Sequence, residues 1–375
     1  MPTGGFGRAI IAAAVLLAGC VGGAGPTPSG SGAPSASGTP SVTGSAASRP
    51  PLAGDLTGGV PLRLGGAGHW AIADGRALVA ADDGTVTAIE LATGRTVWRA
   101  SFTLGKPWDA QPTLALSADR STVVALRTVD AEGASHLGLL LLDAASGATV
   151  AERLIADPER QWRVDLPPRV LAADADTIVL AADPESGRQT AVVRVADGTI
   201  AWQTDDQAVA ATGDTVVTRG AGWERSTGAK RWQATVPLGP LLALAPAVLV
   251  VQRASVAVWL DPATGLEWSR TERLGEAEPP CAATADALVC LGEGVAGYDL
   301  ADGTYLWKTA ESADAIAVIG GWVYLWRSGG RGDVLDARTG RVLVADAALP
   351  SVRYADPTGV LITGDTGYTW VPFPR

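Results

Sequence analysis

Residues able to do covalent or metal chemistry are few in this 375-residue chain, which has three cysteines, two histidines and no asparagine. Cys281 and Cys290 lie on the consecutive strands expected over Cys281–Thr284 and Ala287–Leu291. A hairpin about Ala285-Asp286 puts them directly opposite, at a Cα separation of about 4.5–5.5 Å that a disulfide can bridge. Outside the reducing cytoplasm the pair is expected to be oxidised, as a structural bond; the alternative is two buried thiols. His69, beside Trp70 at the start of a strand, is expected to be packed, and His136, at the end of a loop, to be solvated. Two histidines are too few for a His-based zinc site or a Ser-His-Asp site. No acidic cluster stands out beyond repeated turn positions, so a hard-cation site is not expected. Arg331-Gly332-Asp333 spells a tripeptide read by some adhesion receptors, but here it reads as a structural turn between two strands.

The elements that position these residues follow one phrase. Leu78–Phe102 reads strand, turn, strand, turn, strand, with period-two alternation in Thr85–Leu91 and turns at Asp82-Asp83-Gly84 and Ala92-Thr93-Gly94. Acidic-x-x-Thr-Gly-x-x-x-Trp then recurs. Glu90…Thr93-Gly94…Trp98 is the first copy, and Asp143…Ser146-Gly147 carries Ala151 in the tryptophan slot. Arg194…Asp197-Gly198…Trp202 and Glu224…Thr227-Gly228…Trp232 follow. Asp261…Thr264-Gly265 has Trp268 one residue early, Asp299…Asp302-Gly303…Trp307 is regular, and Asp336…Thr339-Gly340 ends on Val344. A period near 40 with about four short strands per unit predicts a β-propeller. Val352–Ala355, Gly359–Thr363 and Tyr368–Pro372 give three C-terminal strands with no fourth, and Val60–Leu64 is a strand without a blade. Pairing them predicts an eighth blade closed by the N-terminal strand, with no open sheet edge in the ring.

Thr-Gly-x-x-x-Trp with an earlier Asp-Gly resembles the pyrroloquinoline-quinone (PQQ) repeat of quinoprotein alcohol dehydrogenases and of the propeller lipoprotein of the outer-membrane β-barrel assembly machine. The resemblance covers residues 56–375 and implies an all-β, eight-bladed propeller. It also implies that Trp98, Trp202, Trp232 and Trp307 dock between neighbouring blades, as a large flat ring with one N–H donor suits a wedge between twisted sheets. The quinoproteins hold PQQ over Ca²⁺ with Glu, Asn and Asp ligands and usually a vicinal disulfide. This chain has no Asn and no adjacent cysteines, so no cofactor and no dehydrogenase activity are expected.

Residues 1–19 carry Arg8 and an apolar run, Ala9–Ala18, too short to span a bilayer as a mature helix, and read as a secretion signal. Leu17-Ala18-Gly19-Cys20 matches the lipobox of bacterial lipoproteins, which implies cleavage before Cys20 and lipid on its sulfur. Residues 21–55, rich in Gly, Ser, Pro and Ala, read as a disordered tether, and 56–375 as the propeller. The expected location is the extracytoplasmic side of a cell membrane. A net charge of −10 argues against nucleic acid as a partner. The Arg-, Ala- and Gly-rich, Asn-free usage suggests a high-GC, actinobacterial source.

Copy spacing is uneven, and the surplus falls in Thr103–Gln111, Thr128–His136, Ile155–Pro168 and Asp183–Arg188, all expected as loops on one face of blades 1–3. Thr271–Pro280 joins them. Trp108, Asp109, Arg160, Trp162 and Arg163 sit in these loops, and tryptophan and arginine on a rigid scaffold are the usual makings of a protein contact. The expected function is a non-catalytic scaffold binding an envelope protein through this face. A small-ligand or carbohydrate sensor is the alternative, and a divergent quinoprotein a third reading.

Overall fold

The computed structural model describes residues 50–372 apart from 51, 53–58, 63, 65–69, 108–111, 132–133, 157–167, 183–189, 246, 272–273, 275–280, 320, 328–329, 350–351, 357 and 365–366. The Cys20 anchor, His69 and the five candidate contact residues Trp108, Asp109, Arg160, Trp162 and Arg163 lie outside the described residues.

The chain forms an eight-bladed β-propeller, each blade an antiparallel sheet whose strands follow one another from inside to outside. Blade 1 runs Trp70–Ala73, Arg76–Ala80, Thr85–Glu90, Thr96–Ser101. Blade 2 runs Thr113–Leu116, Thr122–Ala131, Ala134–Asp143, Thr149–Ile155, and blade 3 goes from Arg169–Ala173 out to Ile200–Thr204. Blade 4 runs from Ala208–Thr212 to Lys230–Gln233, blade 5 from Leu241–Ala245 to Glu267–Arg270 and blade 6 from Cys281–Ala283 to Tyr305–Thr309. Blade 7 is Ala315–Ile319, Trp322–Arg327, Arg331–Asp336 and Val342–Ala348. In the last sheet Val60–Leu62 pairs with Gly367–Pro372, Val60 opposite Trp370, beyond Gly359–Gly364 and Val352–Asp356.

Second strands are buried almost throughout, as in Arg76–Ala80, Thr177–Ala181 and Val248–Arg253. Both faces of these strands meet neighbouring blades, which is why they read as continuous apolar runs rather than alternating ones. Third strands alternate more, and outer strands such as Thr96–Ser101 face water on one side. Upstream of the first strand, Pro50 is buried and Leu52 packs against blade 7.

Two expectations about loops change. Thr128–His136 is a continuation of two strands, Thr122–Ala131 and Ala134–Asp143, in unbroken register from Thr122↔Asp143 to Ala131↔Ala134. Its Thr and Val residues favour extended backbone, and buried Arg127, Thr128 and Val129 fix it. Arg331 and Asp333 likewise lie inside a strand, not a turn. Arg331 pairs with Asp346, and Asp333, 5% exposed, takes Arg327 Nη2 at 2.6 Å. The tripeptide is therefore consumed by blade 7.

Candidate functional site

The site builds up from the turn into each outer strand. Gly94, Gly147, Gly198, Gly228, Gly265, Gly303 and Gly340 all have φ between +65° and +74°, which glycine adopts without strain. The acidic side chain at the head of the turn satisfies its polar groups: Asp336 Oδ1 accepts from Thr339 N and Oγ1, both at 2.8 Å, and Glu90 Oε2 from Thr93 Oγ1 at 2.6 Å. The Ser146 hydroxyl and then its amide hold Asp143 below the usual carboxylate range; Thr199 does the same for Asp197 and Thr304 for Asp302.

The turns at Gly147, Gly228, Gly265 and Gly340 each receive the docking-slot indole of the preceding blade, while the Gly198 turn meets Arg153 and Leu154 of blade 2, which has Ala151 in that slot. Trp98 Nε1 donates to Ala144 O at 3.2 Å, Trp202 to Arg225 O at 2.7 Å, Trp232 to Pro262 O at 3.0 Å and Trp307 to Ala337 O at 2.8 Å. In every case the acceptor follows the residue that heads the turn. A Cβ on Gly147 would stand 2.5 Å from the Trp98 ring, so glycine is needed for space as well as for φ. Burying an indole removes roughly 150–250 Å² from water, worth about 4–6 kcal/mol per junction.

Blade 5 departs from the phrase. Trp268 is 40% exposed, while Trp259 on the third strand is fully buried and donates from Nε1 to Leu300 O at 3.0 Å. The Trp259 partner across the sheet is Ser269, the residue four after the turn glycine. Elsewhere the order is reversed: Ala88 faces Trp98, Val192 Trp202, Gly222 Trp232 and Gly297 Trp307. Blade 5 has exchanged ring and small residue between two strands. Trp370, 2% exposed opposite Val60, repeats that exchange at the junction of blades 8 and 1. Sequence reading missed both rings, although Trp259 stands two residues before the acidic position, where the hairpin register places the partner of the docking slot.

On the blade 1–3 face the structure adds a protrusion. The two middle strands of blade 2 are ten residues each, against four to six in the corresponding strands of the other blades. Lys106–Pro107, from the connection between blades 1 and 2, joins the inner edge of this hairpin, with Lys106 opposite Asp130 and Pro107 opposite Val129. Glu152 clips the same connection to the outer strand. Its Oε1 accepts from Thr103 N at 2.6 Å and Leu104 N at 2.8 Å, and its Oε2 from Thr103 Oγ1 at 2.5 Å. Beneath the protrusion, fully buried Arg127 donates from Nη2 to Asp82 O at 2.5 Å and from Nε to Thr128 O at 3.3 Å. The Thr85 amide and hydroxyl, and then the charge of Arg127, hold Asp83 below its ordinary range. The segment leading into Trp108 and Asp109 thus starts from fixed backbone.

Cys281 and Cys290 face each other in register, Cα atoms 4.1 Å apart, and are joined by a disulfide between the first two strands of blade 6. Both are buried in the cluster shared with blade 5. Among the described residues no group of three or more His, Cys, Asp or Glu could hold a metal ion.

Residues 60–233 match the family model described as outer membrane protein assembly factor BamB. Among solved structures the chain is similar to BamB from Moraxella catarrhalis, at 15% identity and TM-score 0.54, over 82% of this chain and 94% of that one. It is also similar to the computationally designed Ika8 protein, at 15% identity and TM-score 0.52, over 82% and 98% of the two chains. The C-terminal WD40 domain of Sif2 aligns at 12% identity and TM-score 0.52, over 81% and 94%. These likenesses carry the fold. No curated protein matches.

Proposed function

We propose that this propeller, with its match to the BamB family model over blades 1–4, is a non-catalytic scaffold that binds another protein of the cell envelope and serves the assembly of membrane proteins there. The reading includes an anchor: Cys20 carries lipid, residues 21–55 form the tether, and the propeller stands on the extracytoplasmic side. The observation that carries it is the built protrusion of blade 2. A rigid ring that interrupts its own repeat with a ten-residue hairpin, an added strand at Lys106–Pro107 and a three-bond carboxylate clip presents a fixed contact surface. Trp108, Asp109, Arg160, Trp162 and Arg163 are the proposed anchors of that contact, the indoles filling partner pockets and the arginines pairing with partner carboxylates.

Crosslinking in native membranes, followed by capture of the tagged full-length chain, tests this. The expected result is a defined adduct that is lost when Trp108 and Trp162 are both replaced by alanine, with the melting temperature unchanged. An adduct that survives both substitutions removes the blade 1–3 face from the reading. No adduct in either protein removes the scaffold.

A further inference from the structure

The outer strand of blade 2, Thr149–Ile155, ends its sheet, laddered to Ala134–Asp143, and it also reaches both neighbouring blades. On one side it meets the Gly198 turn of blade 3, where a Cβ on Gly198 would lie 2.7 Å from Leu154 O and 3.2 Å from the Arg153 Cβ. Arg153 Nε donates to Ala196 O at 3.2 Å, and its Nη1 donates to Glu152 O at 2.8 Å. One residue past the strand, Ala156 N donates to Gly198 O at 3.1 Å, and Ala156 bridges Thr199 in parallel.

Successive side chains on a strand point to opposite faces, so Glu152 looks the other way, toward blade 1. Its carboxylate accepts from the Thr103 and Leu104 amides and from the Thr103 hydroxyl, on the connection that leaves blade 1. That connection turns at Gly105, φ +76°, where a Cβ would stand 2.6 Å from Asp130 O, and then pairs with the blade 2 hairpin. Both charged groups grip backbone of the adjoining segment, and hydrogen bonds to an ionised group are the strong kind. From this we infer that Glu152 and Arg153 are positioning residues, which make the outer strand of blade 2 a brace joining blades 1, 2 and 3 into one rigid body. The inference deepens the contact reading above and rests on it for its purpose. Leu104 lies four residues before Trp108, and Ala156 four before Arg160, so the brace sets the points from which both groups of proposed contact residues depart.

Hydrogen exchange on the full-length chain, read by mass spectrometry with fragmentation to single amides, tests the brace without a partner. Transmission across the strand is the deciding feature. Arg153→Ala removes a contact with blade 3, yet is expected to raise exchange about tenfold at the Thr103 and Leu104 amides on the blade 1 side. Glu152→Ala is expected to do the same at the Ala156 amide, on the blade 3 side. Thr215–Thr218 in blade 4 should keep the wild-type rate in both. Glu152→Gln, which keeps an acceptor for the two amides, should restore exchange at Ala156. Thr103→Val removes the hydroxyl bond alone and should give the Glu152→Ala pattern at smaller amplitude, even if Glu152→Ala does not fold. The brace is overturned if each substitution loosens only the side it touches, or if exchange rises equally in all blades. In the crosslinking experiment above, both alanine variants should lower the adduct about fivefold or more at unchanged melting temperature, with Glu152→Gln retaining it. An adduct untouched by both alanine variants removes the positioning role. Transmission in a protein that forms no adduct keeps the brace and removes the scaffold.

Discussion

An indole and a small residue facing each other across the third and outer strands fill the wedge between blades whichever strand carries the ring. Ala88–Trp98, Gly222–Trp232 and Gly297–Trp307 place it outside; Trp259–Ser269 places it inside, and the N–H still reaches the carbonyl after the acidic residue of the next blade. Trp259→Ala should therefore cost about 3–5 kcal/mol, as a large buried ring does. Trp268→Ala, at an exposed site, should cost under about 1 kcal/mol. Urea denaturation of both variants decides between them, and equal losses would mean that Trp259 is not the docking ring of blade 5. The double variant Trp259→Gly with Ser269→Trp should recover part of the loss, since it restores the arrangement of blade 4. Spacing along the chain makes the regular rings legible, because turn glycine and tryptophan stay four residues apart. It does not reveal Trp259, because that ring lies before the turn, and only strand pairing brings it to the same point in space.

The turns behave as units, and their chemistry is readable from residue types alone. Asp, Thr and Gly at fixed offsets satisfy local amides, and the structure shows those hydrogen bonds. The depressed carboxylates of Asp143, Asp197 and Asp302 set a pH window. A carboxyl held below its unfolded value, about 3.9 for aspartate, adds stability that is complete above that value and is lost as pH falls through the folded one. Melting temperature is thus expected to stay level from pH 7 to about 4 and to fall below it. A decline already evident between pH 7 and 5 would show that other groups dominate. The blade 6 hairpin was equally legible, since a two-residue turn sets Cys281 against Cys290. Replacing both by serine should cost about 2–3 kcal/mol, the loop-closure value for so short a ring, and alkylation before reduction should label neither cysteine in the native chain. The blade 2 hairpin was not legible as strand. Its overhang carries Arg127 and Asp130 among Thr and Val, and its pairing depends on Lys106–Pro107, which lies some twenty residues upstream.

At the scale of the whole molecule, a repeat fixes architecture and leaves function to whatever interrupts or precedes it. Seven turn phrases and one blade assembled from both ends of the chain make the ring. None of those positions is free to evolve a site without loosening a junction. The departures are the blade 2 protrusion and the N-terminal stretch, and on the reading proposed here they divide the work, one holding a partner and the other holding the membrane. Anchoring has a clear physical threshold. A buried methylene contributes about 0.8 kcal/mol, and a single acyl chain binds a bilayer only reversibly, so durable attachment needs several chains on one residue. On the reading proposed above that residue is Cys20. Cys20→Ser is accordingly expected to move the protein from the carbonate-washed membrane pellet to the soluble fraction. The Cys281–Cys290 bond and the melting temperature should stay as in the wild type, because the ring does not depend on the lipid. If Cys20→Ser stays in the pellet, the propeller itself or a bound partner holds the membrane. The tether is then not the attachment, and the Trp108 and Trp162 variants become the next place to look for release.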